Sequence, residues 1–454
     1  MSDGPIGELL AAWLPTRRWF AGSGATVRDV AIHSDVVLAA GDPELRHLLV
    51  DVTVGNQTVR YQVLLGLTPD LPGELAEATI GTFPYDPDGP HDHDEPDGPD
   101  SRVAYDGTMD PRLTMVLLQG IASGRHAGPV SFVPEAGAVI DADVTPRTLP
   151  ALQSNTAVVF GDQAIMKLLR RPFEGHHPDL EIPATLARAG SRLVAEPLGW
   201  IEADETILAI LSRYFPHATD AWKLAIADLR TDAPDFSGQA RTLGQATARL
   251  HGELADAFGA STLPEAGRAD LAANMLAELD AATKVVAELA GYRDAIAARY
   301  AELAELTRPI PIQRIHGDYH LEQVLGTDDG WVILDFEGEP SVPLARRRAF
   351  APALRDVAGM LRSFDYAARH QELEQPNNQQ LPAIAAEWVS ACQDSFRAGY
   401  GEAGGEEPQS SDPLLRALTL QKAVYEAVYE ARHRPSWLRI PLNAIAEAVD
   451  EGDR

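Results

Sequence analysis

Two short stretches of the sequence carry residues whose types and spacing could do chemistry. The first, "RIHGDYHLEQVL" at 314–325, contains Asp318 and Gln323, and the second, "WVILDFE" at 331–337, places Asp335 at the end of a predicted strand. Asp318 could accept the proton of an attacking hydroxyl, while Gln323 and Asp335 offer the hard oxygen ligands that Mg²⁺ prefers. A base followed by two oxygen ligands is the layout that phosphoryl transfer requires. The alternative, two surface acids near a structural histidine, explains the spacing less well.

A lysine and a glutamate upstream could hold the phosphates of a nucleotide. Lys167 ends the apolar run "QAIMK", and Glu181 opens the helix-like segment "DLEIPATLARA". A strand lysine followed by a helix glutamate is the order found in kinases. The competing interpretation is a surface lysine and an acid favoured by the positive end of a helix. The downstream motif favours the first interpretation, with ATP as the nucleotide.

The segment before Lys167 lacks the glycine-rich loop that covers the nucleotide phosphates in many kinases. In its place stands "QSNTAVVFG", in which Ser154, Asn155 and Thr156 could donate side-chain hydrogen bonds to phosphates. A loop without glycines brings its backbone less close to a ligand. The sequence therefore predicts that these three residues bind the nucleotide and that ATP is bound weakly.

The elements that must position these residues fall into three predicted domains. Residues 1–100 form a β-rich cap that ends in an acidic, Pro/Gly-rich loop at 83–100. Residues 101–215 form a small α/β N-lobe that binds the nucleotide, and residues 216–454 form a large helical C-lobe with the catalytic loop and the acceptor site. The predicted fold class is therefore α+β, with two lobes and a cap.

Local patterns support this division. "LLVDVTVGNQTVRYQVLLGL" predicts a hairpin that turns at Gly55-Asn56, and "TAVVFGDQAIMKLLR" predicts two strands that turn at Gly161-Asp162. "QARTLGQATARLHGELADAF" places Leu243, Leu250 and Leu254 on one face of a helix.

Charge and composition exclude several classes of partner. The formal net charge of -29 disfavours a nucleic acid or an anionic membrane surface, since both require clustered cations. The single cysteine, Cys392, cannot form an intramolecular disulfide. The N-terminal residues show no basic segment followed by an apolar run, so we expect no signal peptide. No stretch approaches the roughly 20 apolar residues that span a bilayer. We expect a cytoplasmic protein whose partner is a small molecule; the oligomeric state is left open.

Several motifs together resemble those of a known family. "HGDYHLEQVL", "VILDFEGEP", "RDVAGMLRSFDYA", "QSNTAVVFGDQAIMKLLRR", "KAVYEAVYEARHRPSWLRIPL" and the opening "WLPTRRWFAG" are similar to segments of actinobacterial maltokinases. Those enzymes have an aminoglycoside-phosphotransferase-like, eukaryotic-kinase-like fold with an N-terminal cap. The resemblance spans nearly the whole chain and implies phosphorylation of a sugar hydroxyl that depends on ATP and Mg²⁺.

The resemblance also assigns roles to residues. It implies that the base is Asp318, and that Asp356 in "RDVAG" is a structural acid that holds the catalytic loop. It implies that adenine is received near "LSRYF" at 211–215, through backbone groups that include those of Leu211 and Tyr214. The metal ligands and the nucleotide pair fall on the residues already named: Gln323, Asp335, Lys167 and Glu181.

The catalytic loop departs from the maltokinase pattern at two positions. That pattern reads His-Gly-Asp-Leu-His-Leu-Gly-Gln, whereas this chain has Tyr319 in place of the first leucine and Glu322 in place of the last glycine. A glutamate beside the transfer site suits a cationic acceptor, because an ammonium about 4 Å away feels about 4 kcal/mol of Coulomb attraction before desolvation, at an effective dielectric near 20. Glucosamine carries such an amine, so His320 and Glu322 are candidate acceptor contacts. The alternative is that Glu322 faces solvent or pairs with Arg314.

The C-terminal helix offers further candidate acceptor contacts. A four-residue spacing separates Tyr425 from Tyr429 and Glu426 from Glu430, so the two tyrosines share one face of the helix and the two glutamates share another. Trp437 follows shortly after a proline. Aromatic rings and acids suit sugar recognition, although aromatic residues on a helix commonly belong to the core. We take Glu430 and Trp437 as candidate substrate residues.

Three functional hypotheses result. The first is a kinase that converts glucosamine to glucosamine 6-phosphate, and the second is a maltokinase that makes maltose 1-phosphate. The third, of another class, is a nucleotide-binding scaffold that has lost catalysis, which the missing glycine loop could indicate. The intact Asp318, Gln323, Asp335 and Lys167 favour an active enzyme.

Overall fold

The computed structural model describes residues 4–20, 26–84, 101–149, 155–339, 342, 344–375 and 377–450. The chain forms two compact units. Unit 1 comprises Met1–Ala184 and Ala195–Pro216, and unit 2 comprises Thr185–Val194 and His217–Arg454. Most of the acidic loop predicted at 83–100 lies outside the described residues, and so does Ser154. The three predicted domain boundaries stay a prediction.

The first sheet of unit 1 is antiparallel, and short turns connect β1 to β2 and β2 to β3. Its order is β1-β2-β3-β5-β4, and the β2–β3 hairpin turns at Gly55-Asn56 as predicted. Helix α1 (Gly4–Trp13) contributes Leu10 and Trp13 to a core with Tyr61. The strands are β1 (Val27–Ala39), β2 (Glu44–Val54), β3 (Gln57–Thr68), β4 (Thr79–Pro84) and β5 (Ser101–Asp106).

The second sheet of unit 1 contains the strands expected for a nucleotide-binding lobe. Its order is β6-β7-β11-β12-β10-β9-β8, and helix α2 (Pro111–Ser123) contributes Leu117 to a core that also contains Phe132 and Val158. The predicted turn at Gly161-Asp162 joins β9 to β10. The remaining elements are β6 (His126–Ala127), β7 (Val130–Pro134), β8 (Pro146–Thr148), β9 (Thr156–Phe160), β10 (Ala164–Leu168), α3 (Pro178–Arg188), β11 (Pro197–Ala203) and β12 (Thr206–Arg213).

Unit 2 is mainly helical, as the alanine-rich periodicity predicts. Leu243, Leu250 and Leu254 are fully buried on one face of α5. A Cβ at Gly244 or Gly399 would overlap a carbonyl of the facing helix, so these glycines let α5 and α10 approach closely. The helices are α4 (Ala221–Leu229), α5 (Ser237–Phe258), α6 (Glu265–Ala282), α7 (Arg293–Ala304), α8 (Leu344–Arg347), α9 (Leu354–Glu374), α10 (Leu381–Glu402), α11 (Pro413–His433) and α12 (Arg439–Asp450).

Two small sheets of unit 2 frame the predicted catalytic loop. The first has the order β13-β16-β17, and the second pairs β14 with β15. The 185–194 segment also belongs to this unit, since Leu193 O accepts a 2.7 Å hydrogen bond from the N–H of Ile333. The strands are β13 (Thr219–Asp220), β14 (Ala260–Thr262), β15 (Pro311–Gln313), β16 (Val324–Thr327) and β17 (Gly330–Ile333).

Short 3₁₀ helices occur at Leu14–Thr16, Gly73–Ala78, Gly107–Met109, Ala287–Gly291, Leu321–Gln323 and Pro435–Trp437. Within the ranges described above, no helix has both the length and the apolar run that a membrane crossing would need.

A buried arginine joins several elements of unit 1. Arg170 Nη2 donates to Asp106 Oδ2 and to Thr108 Oγ1, each at 3.1 Å, and Arg170 Nε donates to Thr156 Oγ1 at 2.8 Å. Its guanidinium lies 4.6 Å from the ring centroid of Trp19, and its side chain is 2% exposed. Because the cation is buried with its carboxylate, removing either partner leaves an uncompensated charge.

We predict that Arg170→Met destabilises unit 1 by about 3–5 kcal/mol, because it keeps the apolar volume but leaves Asp106 without its cation. The measurement is the free energy of unfolding, with the thermal midpoint as a second readout. Arg192→Met is the control, since the ion pair between Arg192 and Asp329 is 86% and 80% exposed and should change stability by less than about 1 kcal/mol. Equal losses in the two variants would contradict a structural role for the Arg170 network.

Candidate active site

The backbone of the catalytic loop is held by one buried carboxylate. Asp356, in the first turn of α9, accepts hydrogen bonds from the N–H of His316 at 2.8 Å and from the N–H of Gly317 at 2.9 Å. His251 Nε2 of α5 lies 3.1 Å from the same carboxylate. Burial opposes ionisation of Asp356, but the hydrogen bond and charge of His251 and the other donors outweigh it and lower its pKa. The structure therefore gives Asp356 the structural role that was expected.

A histidine connects this loop to the segment after β17. His316 Nε2 donates to Leu334 O at 2.8 Å, so Nδ1 is the acceptor that the N–H of Asp318 contacts at 3.3 Å. Gly317 has φ +87°, a left-handed conformation that glycine adopts without steric cost. The turn at Gly317 thus directs the Asp318 side chain while His316 fixes its backbone.

Tyr319 is a core residue of unit 2. Its side chain is 2% exposed, and its hydroxyl lies 3.0 Å from Thr247 Oγ1 of α5. Gly359 of α9 packs directly on the carbonyl of Tyr319, where a Cβ would lie only 2.5 Å from the oxygen. Tyr319 therefore packs the loop against α5 and α9.

The Asp318 carboxylate is paired with a lysine that sequence reasoning missed. Lys422 Nζ of α11 donates to Asp318 Oδ1 at 2.9 Å and to Glu339 Oε1 at 3.3 Å. Burial opposes ionisation of Asp318, but the ammonium of Lys422, with smaller contributions from neighbouring histidines, lowers its pKa to about 2. Lys422 stands four residues after Leu418 and four before Glu426, so the three share one face of α11. A lysine on the face that carries the buried Leu418 is the signal by which the sequence could have indicated this contact.

A cavity of about 340 Å³ lies beside this ion pair within unit 2. Asp318, Glu339 and Lys422 line it, together with Gly317 and Tyr425. The volume falls in the range of small-molecule sites.

The hairpin of β16 and β17 brings the two predicted metal ligands together. Val324 pairs with Ile333, so the residues just outside the hairpin face each other, and the N–H of Leu334 donates to Gln323 O at 2.8 Å. Gln323 Nε2 lies 3.4 Å from Asp335 Oδ2. The strand ends at Ile333, two residues earlier than predicted, because Asp335 adopts a left-handed φ of +61°. Such a conformation is uncommon for a residue with a Cβ and is often found at functional sites.

The chemistry of this pair fits a divalent cation. A carboxylate and an amide oxygen are hard ligands, and Mg²⁺ is held by few protein groups because it keeps several waters. In the present arrangement the amide NH₂ of Gln323 faces the carboxylate of Asp335, so binding a cation would require the amide to present its oxygen. The donor set suits Mg²⁺, and the amide orientation would have to change.

The candidate acceptor contacts on the loop lie at the 3₁₀ helix Leu321–Gln323. The Glu322 side chain is 63% exposed, and its Oε2 lies 3.9 Å from His320 Nδ1. Desolvation and the nearby carboxylate of Asp220 raise the pKa of Glu322, while burial lowers the pKa of His320 to about 4. The guanidinium of Arg314 lies over the ring of Phe258, 5.1 Å from its centroid. Glu322 thus has both acids, Asp220 and Asp318, and cations, Arg434 and Lys223, in its surroundings.

The two candidates at the C-terminal end of α11 have protein partners of their own. Glu430 is 1% exposed, and Arg434 donates to both of its oxygens at 2.9 and 2.7 Å, while the hydroxyl of Tyr366 donates to Oε1. The ring of Trp437 lies 4.2 Å from the Arg434 guanidinium and 4.6 Å from the ring of His370. A sugar contact by Glu430 would have to replace these bonds.

The predicted nucleotide residues of unit 1 cluster only in part. Lys167 Nζ pairs with Asp179 Oδ2 at 2.8 Å, and Asp179 lies two residues before Glu181 on α3. Asp179 is a partner that sequence reasoning did not name, although it stands in the same acidic first turn.

Four further residues predicted to bind the nucleotide have contacts within unit 1. Asn155 Oδ1 accepts from the N–H of Arg170 at 3.3 Å and Thr156 Oγ1 accepts from its Nε at 2.8 Å, so both oxygens serve the Arg170 network. Leu211 lies inside the sheet, paired with Met166 and Gly199, and the N–H of Tyr214 donates to Gln163 O at 2.8 Å. The strand ends at Arg213, and the expectation that backbone groups near 211–215, including those of Leu211 and Tyr214, receive adenine stays a prediction.

Comparison with known proteins identifies the family. The profile described as phosphotransferase enzyme family matches residues 147–414, more than half of the chain. The chain belongs to this family. The profile of the maltokinase N-terminal cap domain matches residues 13–110. The predicted maltokinase-like resemblance, the α+β kinase-like fold and the enzyme class are confirmed.

Curated relatives and solved structures are similar over much of the chain. A glucosamine kinase of Streptacidiphilus jiangxiensis is 32% identical over 320 residues, covering 66% of this chain and 72% of that enzyme. A glucosamine kinase of Mycolicibacterium smegmatis is 32% identical over 328 residues, covering 67% and 80%. The structure of a glucosamine kinase in complex with glucosamine, ADP and inorganic phosphate is 26% identical, covers 98% of this chain and 99% of that chain, and gives a TM-score of 0.67. A second crystal form has a TM-score of 0.70 with the same identity and coverage.

We predict that Asp356→Asn lowers kcat by about 10- to 100-fold, because the charged acceptor of two backbone N–H groups becomes a neutral amide with one acceptor atom, and bonds to a charged group contribute about 1.5–3 kcal/mol. Steady-state phosphoryl transfer with matched circular dichroism spectra is the measurement. Asp329→Asn, at an exposed position, is the control and should leave kcat unchanged. Full activity in Asp356→Asn would show that the loop holds its shape without this carboxylate.

Proposed function

We propose that this protein is an ATP-dependent kinase that transfers the γ-phosphate to the 6-hydroxyl of glucosamine. Two curated relatives that cover about two thirds of the chain are glucosamine kinases, and this supports the proposal. The observation that carries it is the Asp318 carboxylate at the wall of a cavity of small-molecule size in unit 2. A cytoplasmic location, where ATP is supplied, belongs to the same proposal.

In the proposed reaction, Asp318 accepts a hydrogen bond from the acceptor hydroxyl and takes its proton as the oxygen attacks the γ-phosphorus. Its pKa of about 2 means that it is ionised at neutral pH but is a weak base. Phosphoryl transfer has a loose transition state, so orientation of the hydroxyl matters more than early proton removal. Asp318 therefore acts mainly by positioning the nucleophile and receives the proton late.

Two groups of residues would serve the nucleotide. Gln323 and Asp335 would hold Mg²⁺, which when bound neutralises phosphate charge during transfer. Lys167 would bind the phosphates, oriented by Asp179 and Glu181 of α3. The roles proposed for Ser154, Asn155 and Thr156 at the phosphates rest on their position before Lys167 in the sequence.

Acidic side chains near Asp318 offer ionic partners to a cationic acceptor. Glu339 lies beside the Asp318–Lys422 pair, and Glu322 is a further nearby carboxylate whose pKa is raised by desolvation and the carboxylate of Asp220. Glu278 and the cations Arg346, Arg355 and Arg432 also line the cavity. An ammonium near the acidic groups gains charge-assisted hydrogen bonds worth about 1.5–3 kcal/mol, or roughly 10- to 100-fold in selectivity. A neutral disaccharide gains nothing comparable, although the maltokinase cap makes maltose the acceptor to test beside glucosamine.

We predict that glucosamine is the best acceptor in a panel with glucose, maltose and an aminoglycoside, measured as ADP release under ATP saturation. Glu322→Gln should lower kcat/KM for glucosamine by about 10-fold or more and leave the value for glucose unchanged, since only the amine loses an ionic partner. Glu387→Gln, at an exposed position on α10, is the matched control. Maltose as the best acceptor would overturn the assignment of glucosamine, and equal losses for both sugars would remove Glu322 from amine recognition.

We predict that Asp318→Asn abolishes transfer, by about 10³-fold or more, because the amide cannot accept the proton of the acceptor hydroxyl. Binding of ATP with Mg²⁺, followed by calorimetry, should be retained. Normal turnover in this variant would assign the base to another residue. Wild-type protein that binds ATP but phosphorylates no sugar would instead support the scaffold hypothesis.

A further inference from the structure

The ammonium of Lys422 is placed against the candidate base by a long helix of unit 2. Lys422 Nζ is 2.9 Å from Asp318 Oδ1 and 3.3 Å from Glu339 Oε1, and it lies 4.8 Å from the ring centroid of Tyr425. The side chains of Lys422 and Asp318 are each 20% exposed, and that of Glu339 is 15% exposed. Three charged groups are thus held together at the wall of one cavity.

Stability alone is a poor explanation for this arrangement. Partly buried ion pairs pay a desolvation penalty that well-packed apolar residues avoid, and such replacements are often neutral or stabilising. Apolar residues such as Leu418 and Val424 line the same cavity, so an unbranched, adaptable methionine would suit the position of Lys422. A lysine here is better explained by what its charge does to the carboxylates.

The hydrogen bond from Lys422 makes the two carboxylate oxygens of Asp318 inequivalent. Oδ1 accepts from Lys422, whereas none of the described residues donates a hydrogen bond to Oδ2. The N–H of Asp318 is fixed by His316 Nδ1 at 3.3 Å, so both the backbone and one carboxylate oxygen have a set position. The second oxygen is left for a hydroxyl that enters beside the cavity wall.

We propose that Lys422 is a positioning residue for phosphoryl transfer, which turns the Asp318 carboxylate and keeps it charged so that Oδ2 can bind the acceptor hydroxyl. This inference rests on the proposed kinase function and extends it to a residue on α11.

The charges around the pair determine what happens when Lys422 is lost. Asp318 faces Lys422, His316, His320 and Glu339, and Lys422 also faces Glu426 of its own helix. Arg355 and Glu322 complete the neighbouring charges. With Lys422 present, Asp318 is ionised throughout the working pH range. Without it, burial and Glu339 both raise the pKa of Asp318, and a protonated carboxyl cannot accept the hydroxyl proton.

The test compares Lys422→Met with Lys422→Arg in the full chain, using pH profiles of kcat and kcat/KM with glucosamine and saturating ATP. Lys422→Met should lower kcat by about 10- to 100-fold at pH 7 and introduce an acid limb between about pH 5 and 7 that the wild type lacks. The KM for ATP should not change. Lys422→Arg should remove the acid limb, because it restores a cation that cannot titrate.

Several outcomes would overturn the proposal. One is a wild-type pH profile in Lys422→Met, and another is a higher kcat, which would mean that the ion pair obstructs the base. A lower kcat without an acid limb would indicate a merely structural role. Glu339→Gln keeps the ammonium, so an acid limb in that variant would also contradict the assignment, and it provides the test if Lys422→Met fails to fold.

The controls separate this proposal from the proposed function. Wild-type protein with no activity on any sugar would refute the kinase assignment, whatever the Lys422 variants do. Active wild type combined with an unaltered Lys422→Met profile would refute only the role of Lys422. ATP binding by calorimetry and the thermal unfolding midpoint report the integrity of each variant.

Discussion

The candidate site depends on a single carboxylate, Asp356, which the first turn of α9 presents to the backbone of the catalytic loop. Two adjacent N–H groups and an imidazole converge on it, so α5, α9 and the loop share one buried anchor. A loop without regular hydrogen bonding has no partners of its own for these N–H groups, and burying them unpaired would be costly. The anchor therefore permits an irregular loop inside a helical unit. The loop can then turn at Gly317 and expose Asp318.

The site contains charged groups at three levels of burial, and each level has its own physical basis. Asp356 is enclosed and receives only hydrogen bonds from the protein. Asp318 and Lys422 are partly exposed at a cavity, where a carboxylate can exchange protein contacts for a ligand. Glu322 is largely exposed, so its field acts on arriving cations and is weakened by salt. The buried Asp356 thus holds the loop in place, whereas the more exposed Asp318 and Glu322 remain accessible to a small molecule.

The sequence predicts those parts of the site whose positions follow from local rules. The β16–β17 hairpin has a turn-forming Asp-Asp-Gly, and its register alone brings Gln323 next to Asp335. Strand periodicity likewise places Lys167 on β10. The contact between Lys422 and Asp318 could not be predicted in this way, because the two residues are 104 positions apart and their approach depends on how α11 packs. Residue type alone was also insufficient for Asn155 and Thr156: their side chains suit phosphate binding, but in this structure their oxygens accept hydrogen bonds from Arg170.

The division of the chain also determines how it can be taken apart. The polypeptide enters unit 2 at Thr185, leaves it after Val194 and returns at His217. The segment Thr185–Val194 supports the structure of unit 2, since Leu193 and Val194 pair with Ile333, two residues before Asp335. A fragment that starts at His217 would lack that edge of the small sheet, and a fragment that stops at Ala184 would lack β11 and β12, which are central to the other unit. Each unit is built from two separate segments of the chain, so no single truncation point yields either unit complete. A polypeptide of one unit alone would have to join its two segments.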